Sequence, residues 1–332
     1  LELPAYIAKS AKWKRRHKGW KVQGVELPEK AVSLDPYFVG LWLGDGTQGD
    51  TSITNADSEV INYLKWFAVR EGVAYKKAKS DPYGHALSRV EAIGGNPIRD
   101  SLREYGILDN KRIPQDYLNN SKEVRLALLA GLVDSDGCNS GRNTLVITQV
   151  REALAQDIAL LCRSIGCYTT INHGKAHMKR KDGSIYETDI YRVEFVGEVL
   201  NQLPLLLDRK RVHIKPLPRR YVSSVTLEPI GLGDYYGFEL DGDHLFLLED
   251  FTVLHNTWSV LQFLHLVASS AKSDLIISVT SESLPHLKMG CIRDFFRIIG
   301  SSQDTDSHWS KTEFTYKYPK ALLEYWGADN EG

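Results

Sequence analysis

The sequence has little of what marks several common protein classes. Its 332 residues include only four cysteines, Cys138, Cys162, Cys167 and Cys291. None forms a Cys-x-x-Cys pair or stands at ligand-like spacing from a histidine, which argues against a disulfide framework or a structural zinc and fits a reducing setting. No apolar run is long enough to span a membrane, and no signal-peptide pattern is present. An excess of one charge is also lacking, because 41 Lys and Arg face 42 Asp and Glu, for a formal net charge of −1. A global polycation is thereby excluded, and any nucleic-acid surface must be local.

What is present is a globular chain. Hydrophobic residues make up 42% and charged residues 25%, enough to bury real cores, and the length predicts two or three domains. The densest basic run is KSAKWKRRHKGWK at 9–21, which interleaves Lys14, Arg15 and Arg16 with two tryptophans. Neutralising phosphates and lining a solvated linker are equally good readings of it.

The strongest internal signal is a duplication. Asp35-Pro36 opens a helix over PYFVGLWLGDGT, and LALLAGLVDSDG repeats the plan, each copy an apolar helix ending in Asp-Gly. Gly40 and Gly44 in the first copy, and Gly131 and Ser135 in the second, put small residues on one face, so the two helices are expected to pack closely. Asp45 and Asp136 then project side by side from the helix C-termini. The macrodipole is negative there and like charges repel, so a divalent cation is the natural partner. Mg²⁺ suits carboxylates plus retained waters, and such a site activates water for displacement at phosphate. Asp134 reads as a capping or helix residue.

The copies stay parallel further on. TSITNAD then SEVINYLKWFAVREG in the first matches TLVITQV then REALAQDIALLCRSIG in the second, each predicting a strand and a helix. Further strands are expected at 88–94, and at 168–174 and 190–197, each set leading into a helix. Those helices end in ILDNKR (107–112) and LLDRKR (206–211), which makes Lys111 and Lys210 equivalent. A lysine so placed orients a nucleophile or offsets charge at the reacting phosphate.

FVGLWLGDG and LLAGLVDSDG resemble the signature helices of the LAGLIDADG homing endonucleases, and NKRIP resembles that family's lysine-bearing block. The resemblance covers roughly residues 35–215, as repeats 35–114 and 121–215. It implies an α+β, pseudo-twofold αββαββα monomer whose sheets form a saddle on double-stranded DNA and whose carboxylate-bound Mg²⁺, two or more ions, cleaves both strands. Asp45 and Asp136 would be the metal-binding pair, with Gly44 and Ser135 beside them in the metal set and Lys111 and Lys210 as basic helpers. The KRKDG hairpin tip, with Lys179, Arg180 and Lys181, suits backbone contacts to DNA, as does the basic run at Lys14, Arg15 and Arg16.

Residues 216–256 change to short alternating runs with Gly and Asp turns, an all-β pattern. At their end stands Leu254-His255-Asn256-Thr257. An Asn amide can attack its own carbonyl and break the following peptide bond, a neighbouring imidazole can assist, and the Thr257 hydroxyl can accept an acyl group. GFELDGDHLFLLEDFTVLHN resembles the C-terminal splicing blocks of an intein (Hint) domain. That resemblance implies that Asn256 cyclises, that His255 assists and that His244 polarises the scissile region, with Glu239 where the family often has an acid. The N-terminal blocks, a Cys or Ser start and a Thr-x-x-His stretch, have no match in residues 1–34, which read as a splicing-domain remnant and basic connector. Either a truncated chain or the C-terminal half of a split intein with a separate N-terminal partner is expected.

Past Asn256 the pattern turns α/β. TWSVLQFLHLVASSAKSDLIISVTSESLPHLKMGCIRDFF resembles the start of a phage terminase large subunit just after its phosphate loop, so residues 257–332 are expected to be a P-loop ATPase fragment. This implies the cytoplasm of a phage-infected or prophage-bearing bacterial cell. Two other readings stand beside the endonuclease: a LAGLIDADG maturase that binds without cutting, and a terminase ATPase with an inserted domain.

Overall fold

The computed structural model describes residues 8–78, 81–90, 95–141, 143–179, 183–215, 221–226, 245–281 and 284–327. The chain forms two compact units, one of residues 22–221 and the other joining residues 1–21 to 222–332. Among the described residues no helix is long and apolar enough to cross a membrane.

The chain begins in the second of these. Helix α1 (Ala11–Arg16) is capped by Ser10, whose side chain accepts from the Trp13 N–H, and strand β1 (Gly19–Trp20) follows. The basic run is thus partly a short helix, and Lys14, Arg15 and Arg16 fill its last turn.

Residues 22–221 are built around two helices. α2 (Pro36–Asp45) starts where Asp35 accepts from the Phe38 N–H and Pro36 presets the first turn. α6 (Lys122–Asp136), which follows α3 to α5 below, is capped by Ser121 accepting from Val124. Tyr37 to Leu43 are all buried in α2, as are Leu128 to Asp134 in α6, so both run through the core rather than over it. Small residues permit this. A Cβ on Gly40 would lie 2.0 Å from the Leu128 carbonyl oxygen, and one on Gly131 would lie 2.1 Å from that of Tyr37. The close packing expected from the glycine spacing is what the structure shows.

The first repeat continues with β2 (Ile53–Thr54), α3 (Ser58–Arg70), β3 (Ala74–Lys77), β4 (Gly84–Ser88), α4 (Pro97–Glu104) and the short α5 (Gln115–Leu118). Its sheet has the order β2-β4-β3. Of the strand expected at 88–94, Ser88 ends β4, which begins at Gly84 after a turn in which Asp81 accepts from the Tyr83 and Gly84 N–H groups, and residues 91–94 lie outside the described residues.

After α6 come β5 (Gly137–Asn139), β6 (Leu145–Gln149), α7 (Glu152–Ser164), β7 (Tyr168–Lys179) and β8 (Ile185–Val196), in the order β5-β6-β8-β7. The two short strands expected here are one long hairpin of two 12-residue strands paired throughout. The closing helix expected in this repeat is replaced by 3-10 turns at Glu198–Gln202 and Asp208–Lys210. Pro204 between them cannot continue a helix.

Residues 22–34 pack within this unit. The Val25 N–H donates to Ser164, and the fully buried Arg125 reaches the carbonyls of Val25, Ser164 and Ser121. Asn120 clamps both backbone groups of Lys30.

The other unit resumes at β9 (Val222–Ser223), which pairs with β1 so that Trp20 faces Val222. β10 (Leu245–Leu247) pairs with β11 (Val253–His255), and Lys21 bridges Thr252 and pairs with Asp250 at 2.7 Å. α8 (Asn256–Ser270), β12 (Leu275–Ser281), α9 (Leu284–Leu287), α10 (Arg293–Ile299), β13 (Trp309–Ser310), β14 (Thr315–Lys317) and β15 (Ala321–Gly327) complete it. The helix expected across 284–300 is interrupted by a π turn at Lys288–Ile292. β12 runs parallel to β15 in a sheet of order β12-β15-β14-β13, over a core that includes Leu261, Leu264, Phe295, Leu323 and Tyr325. The antiparallel β13 and β14 were not foreseen.

Candidate active site

The C-terminal ends of α2 and α6 meet. A Cβ on Gly44 would lie 2.0 Å from the Ser135 hydroxyl and 3.4 Å from the carboxyl carbon of Asp136. Asp45 is the residue after Gly44, so the two acids stand together. Burial lifts the Asp45 carboxyl to about 6, with the Asp136 charge adding to the rise and the Asn55 hydrogen bond opposing it. Burial also raises Asp136, against the hydrogen bond from Gln149 and the charges of Lys111 and Lys210.

Each carboxylate is held by one amide. Asn55 Nδ2 donates to Asp45 Oδ2 at 2.7 Å, and Gln149 Nε2 donates to Asp136 Oδ2 at 2.6 Å. These amides come from equivalent places, just after β2 and at the end of β6. Composition does not point to them, but the repeat does: Ile53-Thr54-Asn55 and Ile147-Thr148-Gln149 are the same segment twice.

Lys111 and Lys210 are only 5% exposed, so they are not the solvated helix-end lysines that the sequence usually offers. Lys111 Nζ donates to the Gly44 and Gly46 carbonyls at 3.1 and 2.7 Å. Lys210 Nζ donates to those of Val133, Asp134 and Ser135 at 2.8, 2.8 and 3.0 Å. Each lysine therefore caps the helix bearing its own repeat's aspartate, bonding main-chain carbonyls at its C-terminal end, of which Val133's also accepts the Gly137 N–H. Burial lowers both, Lys111 to about 8, while Asp136 and Asp45 pull Lys111 back up. The ammonium groups offset the negative helix ends that would otherwise disfavour two carboxylates there.

The glycines after the acids are not left-handed caps. Gly46 has φ −72° and Gly137 φ −81°, both extended. Space demands them instead, since a Cβ would come within 2.3 Å of the Trp42 carbonyl oxygen at Gly46 and 2.7 Å of that of Val133 at Gly137. Asp134 does more than cap. It is fully buried and accepts from the Tyr37 hydroxyl at 2.9 Å and the Leu206 N–H at 2.7 Å, tying the end of the second repeat to both central helices. Burial raises the Asp134 carboxyl, and those hydrogen bonds oppose the rise.

Residues 123–203 match the family model of a LAGLIDADG-like domain. They include α6 with Asp136 and the whole second sheet. The chain is 26% identical over 318 residues to a replicative DNA helicase DnaB of Mycobacterium intracellulare, covering 89% of this chain and 48% of the relative. It is 29% identical over 247 residues to the DNA-directed RNA polymerase subunit Rpo1C of Methanocaldococcus jannaschii, covering 63% and 28%. It is also 24% identical over 256 residues to the homothallic switching endonuclease of Saccharomyces cerevisiae, covering 67% and 44%. The chain thus spans less than half the length of each of these relatives.

Lys179 ends β7 at the hairpin tip and is exposed, whereas Arg180 and Lys181 lie outside the described residues, as do His244 and Glu239. His255 ends β11 and Asn256 and Thr257 open α8, with only their backbone described. Lys14, Arg15 and Arg16 belong to the unit that residues 22–221 do not include.

Proposed function

We propose that residues 22–221 are a homing endonuclease of the LAGLIDADG type, carried in an intein, which makes a double-strand break in intein-free copies of the host gene. The observation that carries this is the meeting of Asp45 and Asp136 at two helix ends, each in contact with its amide and balanced by its own buried lysine. Among the described residues no group of three or more His, Cys, Asp or Glu stands ready for a metal. The paired carboxylates of Asp45 and Asp136 fit Mg²⁺, which takes few protein carboxylates and keeps waters. The two aspartates would hold it, with the Gly44 and Ser135 carbonyls alongside, each keeping one lone pair beyond its lysine bond. Bound Mg²⁺ supplies Lewis acidity and an activated water for in-line displacement at phosphorus. Asn55 and Gln149 fix one oxygen of each carboxylate and leave the other free to face the cation. Lys111 and Lys210 position the acids, because every bond given above for them goes to main chain.

Mg²⁺-dependent cutting of a plasmid bearing the intein-free host site tests this. Wild type should linearise it, and Asp45→Asn or Asp136→Asn should leave it intact. Undiminished cutting by either variant removes the metal pair, and tight binding without cutting by the wild type favours the maturase reading.

The intein setting has its own support. The chain leaves one unit at Lys21 and returns at Val222 on paired neighbouring strands, an arrangement that accepts an inserted domain. In this reading Asn256 cyclises with help from His255 and His244, and Thr257 begins the downstream segment. The match to the Mycobacterium helicase covers more of the chain than residues 22–221 contain. A phage terminase large subunit is the proposed host, from the likeness of residues 257 onward to its start, with the endonuclease acting as a monomer on double-stranded DNA. Release of a peptide that starts at Thr257 tests the splicing residues.

A further inference from the structure

The two sheets differ most just past the paired acids. In the first repeat Lys77 pairs with His85, which pairs with Ile53, and the hairpin then closes, with the Ala78 N–H on the Gly84 carbonyl. It therefore ends level with Asn55. In the second repeat the matching row joins Gln149, Tyr191 and His173, and from there β7 and β8 run on through six further pairs, from Gly174 and Ile190 to Lys179 and Ile185. At about 3.4 Å per residue that adds roughly 20 Å of ribbon.

The two faces of this ribbon differ in chemistry. The face that continues from the buried Ile171, Val193 and Phe195 carries an ion-paired ladder: His173 meets Asp189 at 2.9 Å, and Lys175 and His177 meet Glu187. His173, Lys175 and His177 are thus paired within the protein, as Arg192 is with Glu194 at 2.8 Å on the opposite face. The opposite face starts from Thr148, Asn172 and Arg192, on the side of the sheet away from the buried row, and continues outward through Ala176 and Thr188 to Met178, which pairs with Tyr186. Met178 is 60% and Tyr186 42% exposed.

We infer that the endonuclease reads its DNA target unequally, with base discrimination reaching far out on the second repeat's side and stopping near the cut on the first. This rests on the endonuclease reading. A two-stranded ribbon fits the major groove, where small and apolar side chains recognise the thymine methyl and polar ones bond base edges. The helix-free face is continuous from Thr148 to Met178, and the adjoining tip sequence Lys179-Arg180-Lys181 is basic. Asn172 would read base pairs near the cut, as would Arg192 on exchanging Glu194 for a base edge. Met178 and Tyr186 would read the outermost ones by apolar contact, with a preference for A·T.

The test is selection of cleaved molecules from a pool of randomised 40-base-pair duplexes with Mg²⁺, followed by sequencing both sides of the cut. Wild type should give a lopsided profile whose longer arm ends in A·T-rich positions. Met178→Ala with Tyr186→Ala should erase preference only at those outer positions, lowering cleavage of the selected consensus roughly tenfold. Arg192→Ala should erase preference nearer the cut. A profile of equal arms, or a double variant with the wild-type profile, overturns the proposal while leaving the nuclease in place. Failure of the wild type to cut any duplex overturns both the proposal and the endonuclease reading.

Discussion

The two repeats agree at their helices and disagree at their sheets. α2 and α6 share a small-residue contact, a terminal aspartate, an amide on that aspartate and a buried lysine on the helix end. The first sheet has three short strands and the second has four, two of them 12 residues long. The contrast separates two demands. A centre made from two helix ends needs both halves alike, because each acid is tuned by the other's half. A surface that reads DNA has no such constraint, and its strands are free to diverge.

The largest expected effect tests the shared helices. Gly131→Val places a side chain against the Tyr37 carbonyl, which is main chain and cannot step aside. Urea unfolding should show a loss of about 3 kcal/mol or more. Gly44→Ala meets the Ser135 hydroxyl, a side-chain atom, so Ser135→Gly added to it should recover most of a smaller loss.

The next effect sets one repeat against the other. Arg112, from the first lysine block, makes a two-pronged pair with the buried Asp157, which also accepts from the Ile113 N–H. Its counterpart Arg211 pairs instead with the exposed Asp208. Asp157→Ala should cost about 1–3 kcal/mol because a buried N–H loses its acceptor, and Asp208→Ala less than about 0.5 kcal/mol. Equal costs would show that the lysine blocks are structurally interchangeable.

A third effect has the opposite sign. The Asp45 carboxyl is raised by burial to about 6, so between its ordinary value and about 6 the folded protein binds more protons than the unfolded chain. Stability contributed by this group therefore falls as pH rises through that window. Without divalent cations, Asp45→Asn should be more stable than wild type at pH 7, by on the order of 1–3 kcal/mol, and the gain should fade below about pH 4. Thermal unfolding at several pH values checks this. In wild type, Mg²⁺ uptake should weaken below about pH 6 as Asp45 takes up its proton.

The helix pair was legible in the sequence because close packing leaves a mark in residue size, and the paired acids follow from it. The lysines were legible as a pair, but their burial was not, since charge alone suggests a solvated end. Asn55 and Gln149 were hidden in strand segments whose type is unremarkable; only the duplicated Ile-Thr frame gives them away. The ribbon was legible at its KRKDG tip, but not in the length of its strands, because past His173 it is buried on neither face and the alternation that marks a strand fades. The 3-10 turns replaced the last expected helix because Pro204 outweighs the leucines around it.

The claim on which the rest depends is that two helix ends make one cation site. Calorimetric titration of Mg²⁺ into wild type, Asp45→Asn and Asp136→Asn at pH 7 measures it directly. The account predicts uptake by wild type and its loss in each single variant, because neither acid suffices alone. Full uptake by either variant would contradict it.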